Sequence, residues 1–118
     1  MHHDMDLWLY LYCREKKDNL KRRNQRKGLQ KAGSLTVQKL YDILNDGICV
    51  YCTKPVVVDL IDQEHNILLP NSATIDRVNP LLGYYDSNIV VACNRCNQKK
   101  GKREQAAVVK YRYGGRWP

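Results

Sequence analysis

Four of the five cysteines fall into two pairs with Cys-x-x-Cys spacing, which is common in metal-binding hairpins. The first pair is Cys49 and Cys52, and the second is Cys93 and Cys96. Two thiolate pairs at this spacing form the ligand set that tetrahedral zinc prefers, whereas unrelated core cysteines seldom recur in this way. The sequence therefore predicts a structural Zn²⁺ site. The fifth cysteine, Cys13, is expected to be a small core residue.

The segment between the two pairs is too long for a simple zinc ribbon. It contains 40 residues, 53–92, whereas zinc ribbons usually have about 15–20 residues between their pairs. The zinc site is therefore expected to close around further structure. Asp76 ends a predicted strand within this segment, and Asn97 follows directly after the last cysteine of the second pair. A carboxylate and an amide oxygen together suit Mg²⁺ or Mn²⁺ acting on a phosphodiester.

The stretch TIDRVNP, followed by GYYDSNIVVACNRCNQKKG, resembles the signature of the HNH, or ββα-metal, endonucleases. The resemblance covers about Val37 to Arg103, and CNRCNQKKGKR is its most specific part. It implies that Asp76 and Asn97 hold a catalytic Mg²⁺ or Mn²⁺ ion, that Asn88 fixes a loop, and that the four paired cysteines bind structural zinc. It further implies a metal-dependent endonuclease or nickase that hydrolyses DNA, of a kind frequent in phage and bacterial genomes.

The chain departs from the family pattern at the residue that should accept a proton. The family has a histidine directly after the acid, whereas this chain has Arg77. Arginine stays protonated in proteins, so it can clamp the scissile phosphate but cannot act as a base. An Asp-Arg pair is found in a small stand-alone branch of the family. The candidates for the base are His65, Tyr84, Tyr85 and, with no protein base, water activated by the metal ion itself.

The charge distribution favours a polyanionic partner. The chain of 118 residues has a formal net charge of +8, and the segments Arg14–Lys31 and Arg95–Arg116 each carry a net +7, whereas residues 32–94 carry −4. The two basic segments favour binding to DNA, or to structured or single-stranded nucleic acid. The acidic segment between them favours binding of a cation. The candidate phosphate contacts are Lys21, Arg22, Arg23, Arg26, Lys99, Lys100, Lys102 and Arg103.

The candidate site residues must be held in place by a folded scaffold, and the hydrophobic pattern of the sequence predicts one α+β domain. It would have a small ββα-metal core stapled by the zinc site, with flanking helices. The expected divisions are a basic N-terminal arm or helix over 1–33, the nuclease core over 34–105, and a C-terminal helix and tail over 106–118.

The predicted strands are VVVDLI, ILL, ATIDRV and IVVAC. A helix with Leu40, Tyr41 and Leu44 on its buried face is expected to begin at Ser34 or Thr36 and to stop at Asn45-Asp46-Gly47. The opening LWLYLYC suits either a strand or a helix. The charged run after it has almost no apolar face, which predicts an exposed arm or a helix ordered mainly on nucleic acid.

No segment approaches the roughly 20 apolar residues of a membrane span, and the start MHHDMD is acidic where a signal peptide would be basic. A cytoplasmic protein is therefore expected, and the resemblance to the HNH family implies a phage-infected or bacterial cell; the oligomeric state stays open. Two other functions compete with the nuclease. One is a non-catalytic zinc-dependent protein that binds nucleic acid on the same scaffold, and the other is an interaction module whose basic surface docks an acidic protein.

Overall fold

The computed structural model describes residues 5–101 and gives them a small α+β fold with two antiparallel two-stranded sheets. The α+β class predicted from the sequence is thus confirmed. The predicted helix and tail over 106–118, together with Lys102 and Arg103, lie outside the described residues. The elements in chain order are α1 (Leu7–Arg26), α2 (Val37–Asp46), β1 (Ile61–Asp62), β2 (Ile67–Leu68), β3 (Ala73–Arg77), a 3-10 turn (Asp86–Asn88), β4 (Ile89–Cys93) and a helix over 94–101, here called α3.

The N-terminal segment forms one helix that packs against the rest of the chain. It begins after Asp6, whose side chain accepts a hydrogen bond from the backbone N–H of Leu9 at 3.1 Å. Leu9, Cys13 and Leu20 are buried and belong to the main hydrophobic core. The basic segment is therefore a helix docked through a narrow apolar stripe, whereas the sequence predicted either an exposed arm or a helix ordered mainly on nucleic acid. Cys13 is 0% exposed, which confirms its predicted core role, and burial raises its thiol pKa to about 11.

Helix α2 has the predicted face and the predicted ends. Thr36 caps it by accepting a hydrogen bond from the backbone N–H of Lys39 at 3.2 Å, and Leu40, Tyr41 and Leu44 are buried. The helix ends at Gly47, whose φ of 66° lies in the left-handed region that glycine adopts without steric cost. Tyr41 also ties α2 to α1, because its hydroxyl accepts a hydrogen bond from the backbone N–H of Asp6.

Strands β3 and β4 form a hairpin with an unbroken register from Ala73 opposite Cys93 to Arg77 opposite Ile89. These two strands match the predicted ATIDRV and IVVAC. The predicted VVVDLI strand shrinks to Ile61–Asp62 because Asp59 takes a left-handed φ of 59°, which interrupts the extended backbone. Helix α3 follows β4 directly, so the second cysteine pair spans the junction between strand and helix.

Two buried asparagines hold the loop between β3 and β4. The side chain of Asn88 accepts from the backbone N–H of Asn79 at 2.8 Å and donates to the carbonyls of Asn79 and Gly83 at 3.0 and 2.9 Å. The side chain of Asn24, on α1, accepts from the N–H of Tyr84 and donates to its carbonyl. The loop is thus fixed by Asn88 of the 3-10 turn and by Asn24 of α1.

Gly83 lies where this loop meets α1, and its replacement tests that contact. A Cβ atom at Gly83 would lie 2.7 Å from both the Asn24 Oδ1 and a ring carbon of Tyr85. We expect Gly83→Ala to lower the free energy of unfolding by about 1–3 kcal/mol, because a packed core resists an extra methyl group. Gly101→Ala is the control, since no atom of residues 5–101 lies within 4 Å of its Cβ position. Urea unfolding of both variants measures the difference, and equal stabilities would contradict the contact.

Among residues 5–101, no helix is both long enough and apolar enough to cross a bilayer. The longest, α1, is 20 residues long and is rich in lysine and arginine.

Candidate functional site

The four paired cysteines converge at one point of the fold. Their sulfur atoms all lie within 4.8 Å of one another, and the Cys52 and Cys93 sulfurs are 3.9 Å apart. A disulfide would need about 2.05 Å, whereas zinc–sulfur bonds of about 2.3 Å in a tetrahedron place sulfurs about 3.8 Å apart. The described thiols are therefore arranged as a metal site rather than as disulfides, and the cluster could bind zinc.

The environment of the cluster shifts the pKa values of two of its thiols in opposite directions. Burial acts to raise the pKa of Cys49, but hydrogen bonds from the backbone N–H groups of Cys52, Cys93 and Tyr51 lower it to about 6. In contrast, burial and the neighbouring cysteine side chains raise the pKa of Cys96 to about 12. The Cys49 thiol therefore loses its proton more readily than an ordinary cysteine, and the Cys96 thiol less readily. Four thiolates in one place need a positive ion to offset their repulsion.

The cysteine cluster fixes the start of α3 against the β3–β4 hairpin. Cys93 ends β4 and Cys96 lies in the first turn of α3. The other pair sits in a tight turn after α2, which is pinned to β4 because the N–H of Val50 donates to the carbonyl of Val91 at 3.0 Å. Residues in the next turns of α3 are consequently held over the face of β3 that carries Thr74 and Asp76.

Asp76 is a buried carboxylate with two hydrogen-bond donors. It is 8% exposed, and Lys100 of α3 places its Nζ 2.7 Å from the Asp76 Oδ2. The Tyr51 hydroxyl donates to the same oxygen. Among the described residues both donors use Oδ2 and neither uses Oδ1. Lys100 also donates to the backbone carbonyl of Arg77, so its charge is held at the end of β3.

Asn97 faces the same strand, and its amide orientation is defined by a hydrogen-bond chain. The Thr74 hydroxyl donates to the carbonyl of Ala92 at 2.8 Å. Since that hydroxyl has only one proton, it must accept from the Asn97 amide nitrogen, which lies 3.0 Å away. The Asn97 Oδ1 is therefore the atom turned away from Thr74. An oxygen held in this way is what a hard cation requires of an amide ligand.

A groove of about 300 Å³ runs along β3 and brings Asp76 and Asn97 together with side chains of α1. Its walls combine cationic, carboxylate and hydroxyl groups. They are formed by Tyr12, Lys16, Arg23, Asp59, Leu68, Ser72, Ala73, Thr74, Ile75, Asp76, Arg77, Tyr84 and Asn97. The residues predicted from the sequence to bind a divalent ion thus share one cavity.

The cationic wall of the groove is built around Tyr84. The guanidinium carbons of Arg23 and Arg77 lie 5.5 and 5.1 Å from the centre of its ring, and Arg23 donates to its hydroxyl at 3.2 Å. Arg77 is anchored by donating to the carbonyl of Pro80 at 2.8 Å. Lys16 adds a third positive group, and its pKa is lowered by burial and by the nearby Arg23. This wall can attract an anion such as a phosphate.

The other predicted site residues lie elsewhere. His65 is on the exposed turn between β1 and β2, where its Nδ1 is 2.8 Å from the Asp62 carboxylate. That hydrogen bond lowers the pKa of Asp62. Neither His65 nor Tyr85 is among the residues that line the groove. The exposed predicted phosphate contacts are Lys21, Arg22, Arg26 and Lys99.

Lys100 differs most from its predicted role as a phosphate contact. It is 5% exposed and pairs with Asp76, because its position on α3 directs it at β3 instead of outward. Lys16 and Tyr51 were not identified from the sequence. Lys16 is hidden in a run of similar charges, although its seven-residue separation from Arg23, two helical turns, could have marked a shared face.

The pair of Lys100 and Asp76 predicts a clear stability effect. Lys100→Met is expected to lower the free energy of unfolding by about 3 kcal/mol, because it leaves a buried carboxylate without its opposite charge. Lys99→Met is the control, since Lys99 is the exposed neighbour on the same helix. Urea unfolding at neutral pH measures both. The double variant Lys100→Met with Asp76→Asn should recover part of the loss, and no recovery would contradict the pairing.

No protein-family model, curated protein or solved structure matches this chain. The site is therefore interpreted from its own residues and geometry.

Proposed function

We propose that the protein is a metal-dependent endonuclease or nickase of the HNH type that hydrolyses DNA phosphodiester bonds. The observation that carries the proposal is the shared groove. It combines a carboxylate and an amide, Asp76 and Asn97, with a wall of positive side chains from Arg77, Arg23 and Lys16. Such a groove suits a phosphate held against a hard cation. In the same proposal, the β3–β4 hairpin and α3 form a ββα-metal core stapled by zinc.

The donor set fits Mg²⁺ or Mn²⁺. Among the described residues, both hydrogen bonds to Asp76 fall on Oδ2, which leaves Oδ1 for a cation. The amide of Asn97 is fixed through its nitrogen, which leaves its oxygen for the same purpose. When bound, the ion would neutralise charge on the scissile phosphate and on the leaving oxygen. One carboxylate and one amide also leave room for several waters, as Mg²⁺ prefers.

Arg77 then serves as the clamp for the phosphate. Its guanidinium is oriented by the carbonyl of Pro80 and stacks on Tyr84, so little ordering is needed when an anion arrives. A permanently charged, planar donor group stabilises the extra negative charge of a pentacovalent phosphorus. In this proposal Arg77 occupies the position of the family's histidine and contacts the phosphate, but it does not take over the proton transfer of that histidine.

The proton of the attacking water needs a separate acceptor or orienting group. Of the three protein candidates, Tyr84 lines the groove, whereas His65 and Tyr85 do not. We therefore assign Tyr84 to orienting the water, its hydroxyl being held by Arg23. With no protein base, the proton of the water would pass to solvent, because a bound divalent ion lowers the pKa of its water. Tyr84→Phe should lower the turnover rate at unchanged DNA affinity, and His65→Ala should leave both unchanged.

Plasmid cleavage tests the function directly. Zinc-loaded full-length protein, incubated with supercoiled plasmid and Mg²⁺ or Mn²⁺, is expected to convert the plasmid to nicked or linear forms. Omitting the added divalent ion should stop the reaction while the zinc content stays constant. Gel shifts without cutting in any of these metals would contradict the nuclease and favour the zinc-dependent nucleic-acid-binding protein. The absence of both cutting and binding would favour a module that docks an acidic protein.

A further inference from the structure

A second cavity lies beside α1, on a different flank from the groove. It measures about 400 Å³ and includes Lys17 and Lys21 of α1, Lys31 of the following loop, and Tyr85. At 3.6 residues per turn, the α1 residues of this cavity point roughly 145° away from those of the groove. Helix α1 is thus a partition between two cavities. We call the second cavity the lysine cleft.

The lysine cleft gathers positive charge without a matching negative charge. Among the residues that line it there is no aspartate or glutamate. Lys17, Lys21 and Lys31 form no ion pair with any residue in the range 5–101. Three ammonium groups around one cavity repel one another unless an anion enters it. A site of this kind therefore favours a ligand with a localised negative charge.

The groove and the lysine cleft meet at one dipeptide. Tyr84 lines the groove and Tyr85 lines the lysine cleft, and Tyr85 is in an extended conformation with φ −137° and ψ 157°. Neighbouring residues in extended backbone direct their side chains to opposite sides. Asn24 pins this dipeptide to α1 through both backbone groups of Tyr84. The two cavities therefore lie on opposite sides of α1 and of the Tyr84–Tyr85 dipeptide.

We propose that the lysine cleft binds a second phosphate of the same nucleic-acid strand whose scissile phosphate occupies the groove. This inference rests on the proposed function for the groove and adds a substrate requirement to it. A strand held at both cavities is fixed in direction, because the lysine cleft lies on one side of the cut only. Short substrates that lack a phosphate on that side bind weakly.

The test compares two triple variants that each remove three positive charges. The cleft variant is Lys17→Gln, Lys21→Gln and Lys31→Gln, and the control is Arg14→Gln, Lys27→Gln and Lys54→Gln. The three control residues are exposed, line none of the described cavities and are not among the predicted phosphate contacts. Zinc-loaded full-length protein is titrated with a fluorescein-labelled DNA duplex at several salt concentrations, without Mg²⁺ or Mn²⁺, and binding is followed by anisotropy.

The cleft variant is expected to bind at least about tenfold more weakly, and the slope of log affinity against log salt should fall by about 1 for each phosphate that the variant no longer neutralises. The control should bind less than about threefold more weakly. Equal weakening in the two variants would overturn the proposal, because the cleft lysines would then contribute no more than other positive charges on the surface. Unchanged binding in both variants would also overturn it, because the cleft lysines would then not contact DNA. Should the triple variant unfold, Lys31→Gln alone, with binding expected to weaken about threefold, replaces it.

Plasmid cleavage by the unaltered protein separates this inference from the function on which it rests. Cutting together with equal weakening of binding in the two triple variants overturns the lysine cleft and leaves the nuclease standing. Selective weakening in the cleft variant of a protein that never cuts overturns the nuclease and leaves a two-phosphate binding surface.

Discussion

Replacing Cys93 with serine is expected to release the zinc ion and to destabilise the hairpin end of the protein. Cys93 both ends β4 and contributes a sulfur to the cluster. Binding of structural zinc to zinc-finger peptides is worth about 10–16 kcal/mol at pH 7, and that binding energy is also folding energy. A loss of even about 5 kcal/mol is comparable with the whole stability of an average domain. At about 4 °C per kcal/mol, the melting temperature should fall by about 20 °C or more.

Cys13→Ala provides the matched control for this experiment. Cys13 is buried in the main core and lies outside the four-sulfur cluster. Its replacement should leave one zinc ion per chain and cost about 1 kcal/mol of stability. Metal content by mass spectrometry and melting by circular dichroism give the two readouts. If Cys93→Ser retains stoichiometric zinc at unchanged affinity, the assignment of the cluster is wrong.

The second large effect is expected at the carboxylate of the groove. Asp76→Asn should abolish plasmid cutting, with a loss of at least about a thousandfold in rate. The reason is that an amide keeps the shape and can still accept a hydrogen bond from Tyr51, but it no longer offers a charge to a divalent ion. A loss of about 4 kcal/mol of transition-state stabilisation corresponds to that factor.

The matched control for Asp76→Asn is Asp46→Asn, because Asp46 is an exposed acid at the end of α2. It should cut at the rate of the unaltered protein. Because Asp76→Asn leaves the buried Lys100 without its opposite charge, this variant should be less stable than Asp46→Asn. Zinc content and DNA affinity are therefore compared at a temperature at which both variants are folded, where they should be equal, which separates loss of catalysis from loss of fold. Cutting by Asp76→Asn at more than about a tenth of the normal rate would exclude this carboxylate as the essential metal ligand.

The sequence predicted those parts of the fold that depend on local patterns. Both ends of helix α2 were predicted correctly, because Thr36 and Gly47 interact only with backbone groups in the adjacent turn of the helix. The two longer strands were predicted from their β-branched residues, although their apolar residues are contiguous only in β4. The cysteine spacing predicted the convergence of four sulfurs, since each pair closes a short turn.

The parts that the sequence did not predict depend on distant contacts. Helix α1 docks through a few apolar residues spread over three turns, a pattern too sparse to separate from an exposed arm. Nothing in the sequence marks Asn24 as the partner of Tyr84, because their pairing arises only when α1 crosses the loop. The burial of Lys100 likewise follows from where the cysteines fix α3, and not from its neighbours in the chain.

The contacts between α1 and the loop after β3 affect when the protein can fold during translation. Arg23 and Asn24 contact Tyr84 across 61 and 60 positions of chain. Contacts of such long range are the slow ones to form during folding, because a large loop must close before they yield any stabilisation. While the chain is still being translated, neither cavity can form until the segment with Tyr84 and Tyr85 has been made. Under the proposed function, binding and cutting of nucleic acid begin only after that segment and the second cysteine pair have been translated.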